Sequence, residues 1–274
     1  MARNMARKFP VVGFDVQASR MAAAEGITPA ASAAEVARAC GVVCLSLPSA
    51  SVVEQVVLGE GGIASELPAG SLLIDLSTSL PSVSRRIAAR LAERGVEFAD
   101  APVSGGEKGA KEAALAIMVG ATEAAFARCR PILEALGKTA VRVGGIGAGN
   151  IAKLVNNMIV AAEFAVIAEG FALAATGGVD ARLLYEAIRE GWAGSKVLDV
   201  SAEAIAAREY VPGGTIDMLV KDISYAQALA AESRSSIPMT AAAHEILVAG
   251  QAAGYGKSSQ PAIYELWNRT GGKG

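Results

Sequence analysis

Histidine is nearly missing from this chain: His244 is the one example in 274 residues, and it sits in an Ala-rich run of helical character, where it reads as structural. Cysteine is almost as scarce. Cys40, Cys44 and Cys129 are odd in number and lack paired metal-ligand spacing, so no metal site is expected. Cys40 and Cys44 read as small apolar side chains rather than a thiol pair, which suits a reducing cytoplasm. Positive charge is not in excess, with 25 Lys and Arg against 27 Asp and Glu and a net charge of -2, so the footprint of a nucleic-acid binder is missing. Aromatics are 5% of residues while 52% are hydrophobic, much of that alanine, so the core is expected to rely on close helix packing. Residues 1–10 are basic but hold no apolar stretch of signal-peptide type, so no secretory signal is expected. The most membrane-like run, 158–175, is broken by Glu163, Glu169 and Gly170, and the expectation is a buried helix of a soluble cytoplasmic protein. No internal repeat or low-complexity segment is evident.

What the chain does have is a change of character near Gly147. Before it, short apolar runs at 11–15, 42–47, 72–76, 96–99, 115–119 and 140–143 alternate with helical stretches at 33–39, 51–58, 82–94 and 123–136. That alternation predicts βαβ units and a mainly parallel sheet. After it no strand is expected. A helix is predicted over 151–175, then further helices at 181–190, 197–208, 215–233, 237–253 and 261–269, with loops at 212–214 and 254–259. The expected division is an α/β domain over 1–148 and an all-helical domain over 149–274.

Parallel sheets collect ligands at the carboxyl ends of their strands. Asp15, Leu47-Pro48, Ser77-Thr78-Ser79 and residues 100–106 fall at four such ends. An acid in the position of Asp15 suits a ribose 2′-hydroxyl and repels a 2′-phosphate; a solvent-facing turn acid explains it as well. Ser104-Gly105-Gly106 offers a hydroxyl and backbone N–H groups, a small anion site suited to a carboxylate, with a plain glycine turn as the simpler reading. Residues 147–157 read G-A-G-N-I-A-K-L-V-N-N. Helical spacing sets Lys153 beside Asn156 and Asn157. An amine and two amides on an otherwise apolar helix call for polar partners, although polar residues are common at helix starts. Trp192, close to a helix end, reads as a core-packing residue, and Gly194-Ser195-Lys196 as an approach to a cleft.

D-A-P-V-S-G-G at 100–106, G-x-G-x-x-x-K-x-x-N-N at 147–157 and K-D-I at 221–223 together resemble the β-hydroxyacid dehydrogenase family, which includes 3-hydroxyisobutyrate dehydrogenase and tartronate semialdehyde (2-hydroxy-3-oxopropionate) reductase. The motifs occur in the family's order and span nearly the whole chain. The resemblance implies a Rossmann-like nucleotide-binding α/β domain, a long interdomain helix and an all-α domain that forms homodimers or homotetramers. It implies Lys153 as the catalytic residue, and Ser104, Gly105, Gly106 and Asn157 as the substrate-holding set. It further implies Leu47, Pro48, Thr78 and Lys221 as cofactor-lining residues, beside Asp15; Asp222 is expected to be structural. The implied reaction moves a hydride between NAD, or NADP, and a small 3-hydroxy acid or its semialdehyde, with Lys153 exchanging the hydroxyl proton. Proton exchange favours a lysine pKa lowered toward working pH, as burial beside a neutral Asn would do. Lysine, rather than Asp or Tyr, at this position argues against the related imine reductases. Asp15 favours NAD, while Gln17 and Arg20 keep NADP open.

The sequence departs from the family at its start. The family opens with a strand and a G-x-G-x-x-G turn that holds the pyrophosphate; here Met1-Ala2-Arg3-Asn4 resembles a stretch inside the first helix, already past those glycines. The sheet is therefore expected to lack its central first strand. A start assigned at an internal methionine is favoured over a real truncation, because a sheet without its middle exposes unpaired backbone and apolar surface. The alternative function is a non-catalytic relative that dimerises and binds a carboxylate without productive cofactor binding.

Overall fold

The computed structural model describes residues 1–268 apart from 23 and 212, and the chain divides into two compact units, Met1–Lys153 and Leu154–Gly274. In the first unit the order is α1 (Ala2–Ala6), β1 (Val11–Gly13), α2 (Ala18–Ala22), β2 (Ile27–Pro29), α3 (Ala33–Ala39), β3 (Val42–Leu45) and α4 (Ala50–Leu58). There follow β4 (Leu72–Asp75), α5 (Pro81–Ala92), β5 (Glu97–Asp100), β6 (Val103–Ser104), α6 (Gly106–Lys111), β7 (Leu115–Gly120), α7 (Glu123–Leu133) and β8 (Gly137–Gly144). Helix starts follow side-chain chemistry: Ser32, Ser49 and Thr122 each accept an N–H three residues on, and Pro81 opens α5 where its missing N–H is harmless.

The sheet is mixed rather than mainly parallel. β3, β4 and β5 pair in parallel and so do β7 and β8, but β7 runs antiparallel to both β5 and β6. The reversal falls in the D-A-P-V-S-G-G segment, where the chain leaves β5, passes Pro102 and returns through the two-residue β6, an element too short to leave a periodic signal. β1 and β2 form a separate parallel pair, and among the described residues no strand joins β1 to β3. β4 is buried along its whole length, as its continuous Leu-Leu-Ile run requires, and packs with Ala99, Ile117, Val119 and Leu133 in the first unit's core. Met1, just before α1, and Met5 within it lie against the same core, and the buried Asn4 donates through Nδ2 to the Ala110 carbonyl at 2.8 Å.

A 29-residue helix, α8 (Ala148–Thr176), begins in the first unit and continues into the second. The second unit adds α9 (Ala181–Ile188), α10 (Lys196–Ala207), α11 (Ile216–Ser233), α12 (Pro238–Gly250) and α13 (Glu265–Asn268). The helix expected over 261–269 is instead a three-ten segment, Gln260–Tyr264, followed by α13, and Arg269 lies outside the described residues, as does Pro212 of the expected 212–214 loop. Phe164, Ala168, Ile216, Leu219, Ile223, Leu247 and Ile263 are buried in or around the helical core.

Two burial expectations are corrected. Trp192 is 107% exposed, not packed in a core. α8 is long and apolar enough to cross a membrane by length and composition, yet only 28% of its most apolar 18-residue window is buried within the chain. Val155, Ile159, Val166 and Leu173 are 47%, 57%, 61% and 74% exposed. At 100° per residue these four fall within a sector of about 40°, one apolar stripe along the helix.

Candidate active site

In the first unit the polar residues gather at the carboxyl ends of the parallel strands. Leu47 and Pro48 follow β3, and the Leu47 N–H donates to Ser77 Oγ at 2.8 Å across the gap to the β4 end. Thr78, half-buried between the buried Ser77 and Ser79, lies in the connection from β4 to α5. Ser104 ends β6 half-buried; Gly105 and Gly106 are exposed, with φ of 133° and 62°, a backbone that side-chain-bearing residues rarely adopt. The glycines thus set the turn.

Asp15 stands two residues beyond β1 rather than inside a strand. Its Oδ1 accepts the Gln17 N–H at 2.8 Å, the local turn bond open to any such acid, and Oδ2 lies 3.5 Å from Arg20. The side chain keeps 31% exposure, so an oxygen is left for an incoming hydroxyl.

Behind these loops lies a buried polar network. Asp75 and Asp100, both fully buried, end β4 and β5 in direct register. Asp100 Oδ1 accepts the Gly147 N–H at 2.7 Å and Oδ2 accepts the Asn150 N–H at 2.8 Å, so one carboxylate caps the start of α8. Asn150 Oδ1 accepts the Ser79 N–H at 3.1 Å, and Nδ2 donates to Ser84 Oγ at 2.8 Å. Asp75 Oδ1 accepts the Ser77 N–H at 3.0 Å. Burial pushes Asp100 up to about 7 against the lowering pull of its N–H bonds, and pushes Asp75 up to about 6 against that of Ser77. Lys153 is buried at 8% exposure, one turn along α8 from Asn150.

Two glycines permit that packing. A Cβ on Gly149 would stand 2.5 Å from both the Asp100 and the Met118 carbonyl oxygens, and one on Gly120 would stand 2.5 Å from Asp100 Oδ1. The first turn of α8 therefore rests directly on the ends of β5 and β7. In sequence, residues 100–106 fall at a strand end but neither Asp100 nor Asn150 has a legible partner; the available signal is an acid opening a motif and an Asn inside a glycine turn.

In the second unit, Asn157 and Asp222 are buried at 6% and 8% exposure. Asn157 Nδ2 donates to Asp222 Oδ2 at 2.7 Å, and Asn157 Oδ1 accepts from Asn156 Nδ2 at 2.9 Å. Lys221 Nζ lies 3.1 Å from Asp222 Oδ1 and 5.5 Å from the Tyr225 ring centroid. Asp222 thus accepts from Asn157 and neighbours Lys221. Ser195 caps α10 by accepting the Leu198 N–H at 3.1 Å, and His244 Nε2 sits 3.5 Å from Ser224 Oγ.

Burial disfavours the thiolate at all three cysteines. Burial pushes Cys44 up to about 12 and Cys129 up to about 11, so both stay protonated at neutral pH. Among the described residues no group of three His, Cys, Asp or Glu side chains is placed to hold a metal ion.

Residues 1–145 match the model of the NAD binding domain of 6-phosphogluconate dehydrogenase, and residues 147–267 match that of the NAD-binding region of NADP-dependent 3-hydroxyisobutyrate dehydrogenase. The 2-(hydroxymethyl)glutarate dehydrogenase of Eubacterium barkeri is 34% identical over 276 residues, covering 99% of this chain and 92% of that protein. The 2-hydroxy-3-oxopropionate reductase of Escherichia coli strain K12 is 35% identical over 221 residues, covering 81% and 76%. The Mycobacterium tuberculosis 3-hydroxyisobutyrate dehydrogenase, solved with L-serine, superposes with a TM-score of 0.87 at 30% identity, covering 97% and 93%. Two family models spanning nearly all of the chain, and relatives above 30% identity along most of their length, leave one conclusion: the chain belongs to the β-hydroxyacid dehydrogenase family and is an NAD(P)-dependent oxidoreductase acting on the CH–OH group of hydroxy acids.

Proposed function

We propose that the enzyme moves a hydride between NAD(H) and a small 3-hydroxy acid or its semialdehyde, of the 3-hydroxyisobutyrate or 2-hydroxy-3-oxopropionate type, with Lys153 as the proton-exchanging group. The observation that carries the reading is a lysine at 8% exposure on α8, one turn beyond a helix start capped by Asp100. In oxidation the neutral Lys153 amine takes the hydroxyl proton as the carbinol C–H bond breaks; in reduction its ammonium returns that proton to the alkoxide oxygen. The substrate-holding roles are assigned to Ser104, Gly105 and Gly106 of the first unit and to Asn157 of the second.

NAD(P), when bound, takes up or gives back the hydride. The residues of the first unit fit its nicotinamide and ribose ends: β3, β4 and β5 end on one side of the sheet with Leu47, Pro48 and Thr78 beyond them, and Asp15 offers a part-exposed carboxylate. Lys221 is assigned to the cofactor as well. Asp15 favours NAD, since a carboxylate accepts from a 2′-hydroxyl and repels a 2′-phosphate. Residues 1–148 form the cofactor domain, and residues 149–274 the substrate and assembly domain.

The apolar stripe of Val155, Ile159, Val166 and Leu173 is the contact of a homo-oligomer. Glu163 and the exposed Glu169 inside the same helix suit a protein partner in the cytoplasm better than lipid.

The test is a fluorescence titration with NADH, and NADPH in parallel, followed by turnover of 3-hydroxyisobutyrate. Lys153→Ala should lower kcat by about 10²–10⁴-fold, the usual span for a lost acid–base group, with NADH affinity preserved. Turnover within a few-fold of wild type in that variant removes Lys153 from the reaction.

A further inference from the structure

The start of a helix leaves its first N–H groups without intrahelical acceptors, and a Ser, Thr or Asn immediately before the helix would satisfy them cheaply. α8 is built otherwise. The Gly147 and Asn150 N–H groups are accepted by Asp100, which lies 47 and 50 residues away in sequence and fully buried. Burying a carboxylate is costly, and the raised pKa of Asp100 measures that cost. What the arrangement supplies is position. Both carboxylate oxygens are used, so the first turn is held at two points against the end of β5, and Gly149 and Gly120 let it come into backbone contact there. Asn150 then extends the hold to the β4–α5 connection: its side chain takes the Ser79 N–H and gives to Ser84 Oγ, on either side of α5's first turn and one residue beyond Thr78.

We propose that Asp100 and Asn150 are positioning residues for Lys153, fixing the first turn of α8 against the connection that carries Thr78. The proposal rests on Lys153 as the proton-exchanging group. Lys153 follows Asn150 by three residues, so a tilt of the helix start is carried directly to its Nζ. A displacement of about 1 Å at a reacting group can lower a rate about 10²-fold.

The experiment compares Asp100→Asn, Asn150→Ala and Ser84→Ala with wild type and Lys153→Ala. The readouts are kcat and KM for 3-hydroxyisobutyrate at saturating NAD, the NADH dissociation constant, and amide exchange of the 145–153 peptide. Asp100→Asn keeps the shape but can accept only one of the two N–H groups. It and Asn150→Ala should each lower kcat at least tenfold, leave KM and NADH affinity within about threefold, and speed exchange in the 145–153 peptide alone. Ser84→Ala, which removes a single bond from Asn150, should give a smaller drop of the same kind. If the 145–153 peptide loosens while kcat stays at the wild-type value, and Lys153→Ala is inactive, the network is structural only and the proposal falls. An active Lys153→Ala overturns the underlying reading instead. Should circular dichroism show Asp100→Asn unfolded, Asn150→Ala and Ser84→Ala decide alone, and wild-type kcat in both refutes positioning.

Discussion

Asp75 gives the sharpest physical test of the buried network. It is fully buried at the end of β4, Oδ1 takes the Ser77 N–H, and among the described residues no hydrogen bond reaches Oδ2. Its pKa stands at about 6 against 3.8 for an ordinary Asp. A carboxyl whose folded pKa is raised binds its proton more tightly in the native state, so its contribution to stability is full below pH 3.8 and is lost as pH rises through 6. The gap of about two units, at about 1.4 kcal/mol each, corresponds to on the order of 2–3 kcal/mol lost between pH 4 and pH 8. Asp75→Asn removes the titration and keeps the Oδ1 acceptor. Its new amide N–H groups meet the unpartnered Oδ2 position, at a cost of about 1–3 kcal/mol that does not vary with pH. The quantity to measure is therefore the difference between variant and wild type across pH, which cancels that constant and the contributions of other carboxylates. Urea titrations read by amide exchange of β4 and β5 peptides isolate the first unit. The variant should gain on the wild type by on the order of 2–3 kcal/mol from pH 4 to pH 8. Parallel curves would show that Asp75 titrates as an ordinary acid, and the account of the strand-end pair would be wrong.

Other perturbations reach different parts of the molecule. Gly149→Ala brings a Cβ to 2.5 Å from two backbone carbonyl oxygens that have no room to yield, so it should destabilise the first unit by about 1–3 kcal/mol or more, read as a lower thermal midpoint. Leu173→Glu, at the C-terminal end of the exposed stripe of α8 where the side chain is 74% exposed, should leave the fold intact and reduce the assembled mass in light scattering; an unchanged mass places the oligomer contact elsewhere. Asp15→Asn removes the charge that repels a 2′-phosphate and frees Arg20 from its 3.5 Å partner, so the ratio of NADH to NADPH affinity should fall about tenfold, read by the two titrations. An unchanged ratio leaves Asp15 as a turn acid.

The sequence by itself determined the broad plan. The switch from strand-length apolar runs to unbroken helical ones is local, set by period and by Gly and Pro, and it placed every longer element of both halves; three motifs in order identified the family. Short elements escaped: β2, β6 and α6 span too few residues for either period to register. The mixed sheet followed from β6, because a reversal of direction depends on how a two-residue strand pairs, which no pattern encodes. The side chains proposed for chemistry, Lys153, Ser104 and Asn157, were legible because they stand inside motifs. Their supports were not. Asp100 reaches Gly147 and Asn150 across about fifty residues, and Asp222 reaches Asn157 across 65, contacts that exist only once strands and helices are stacked. The same holds for burial. An apolar helix in sequence says that its surface avoids water, but only the tertiary structure decided that the stripe from Val155 to Leu173 stays exposed on the chain.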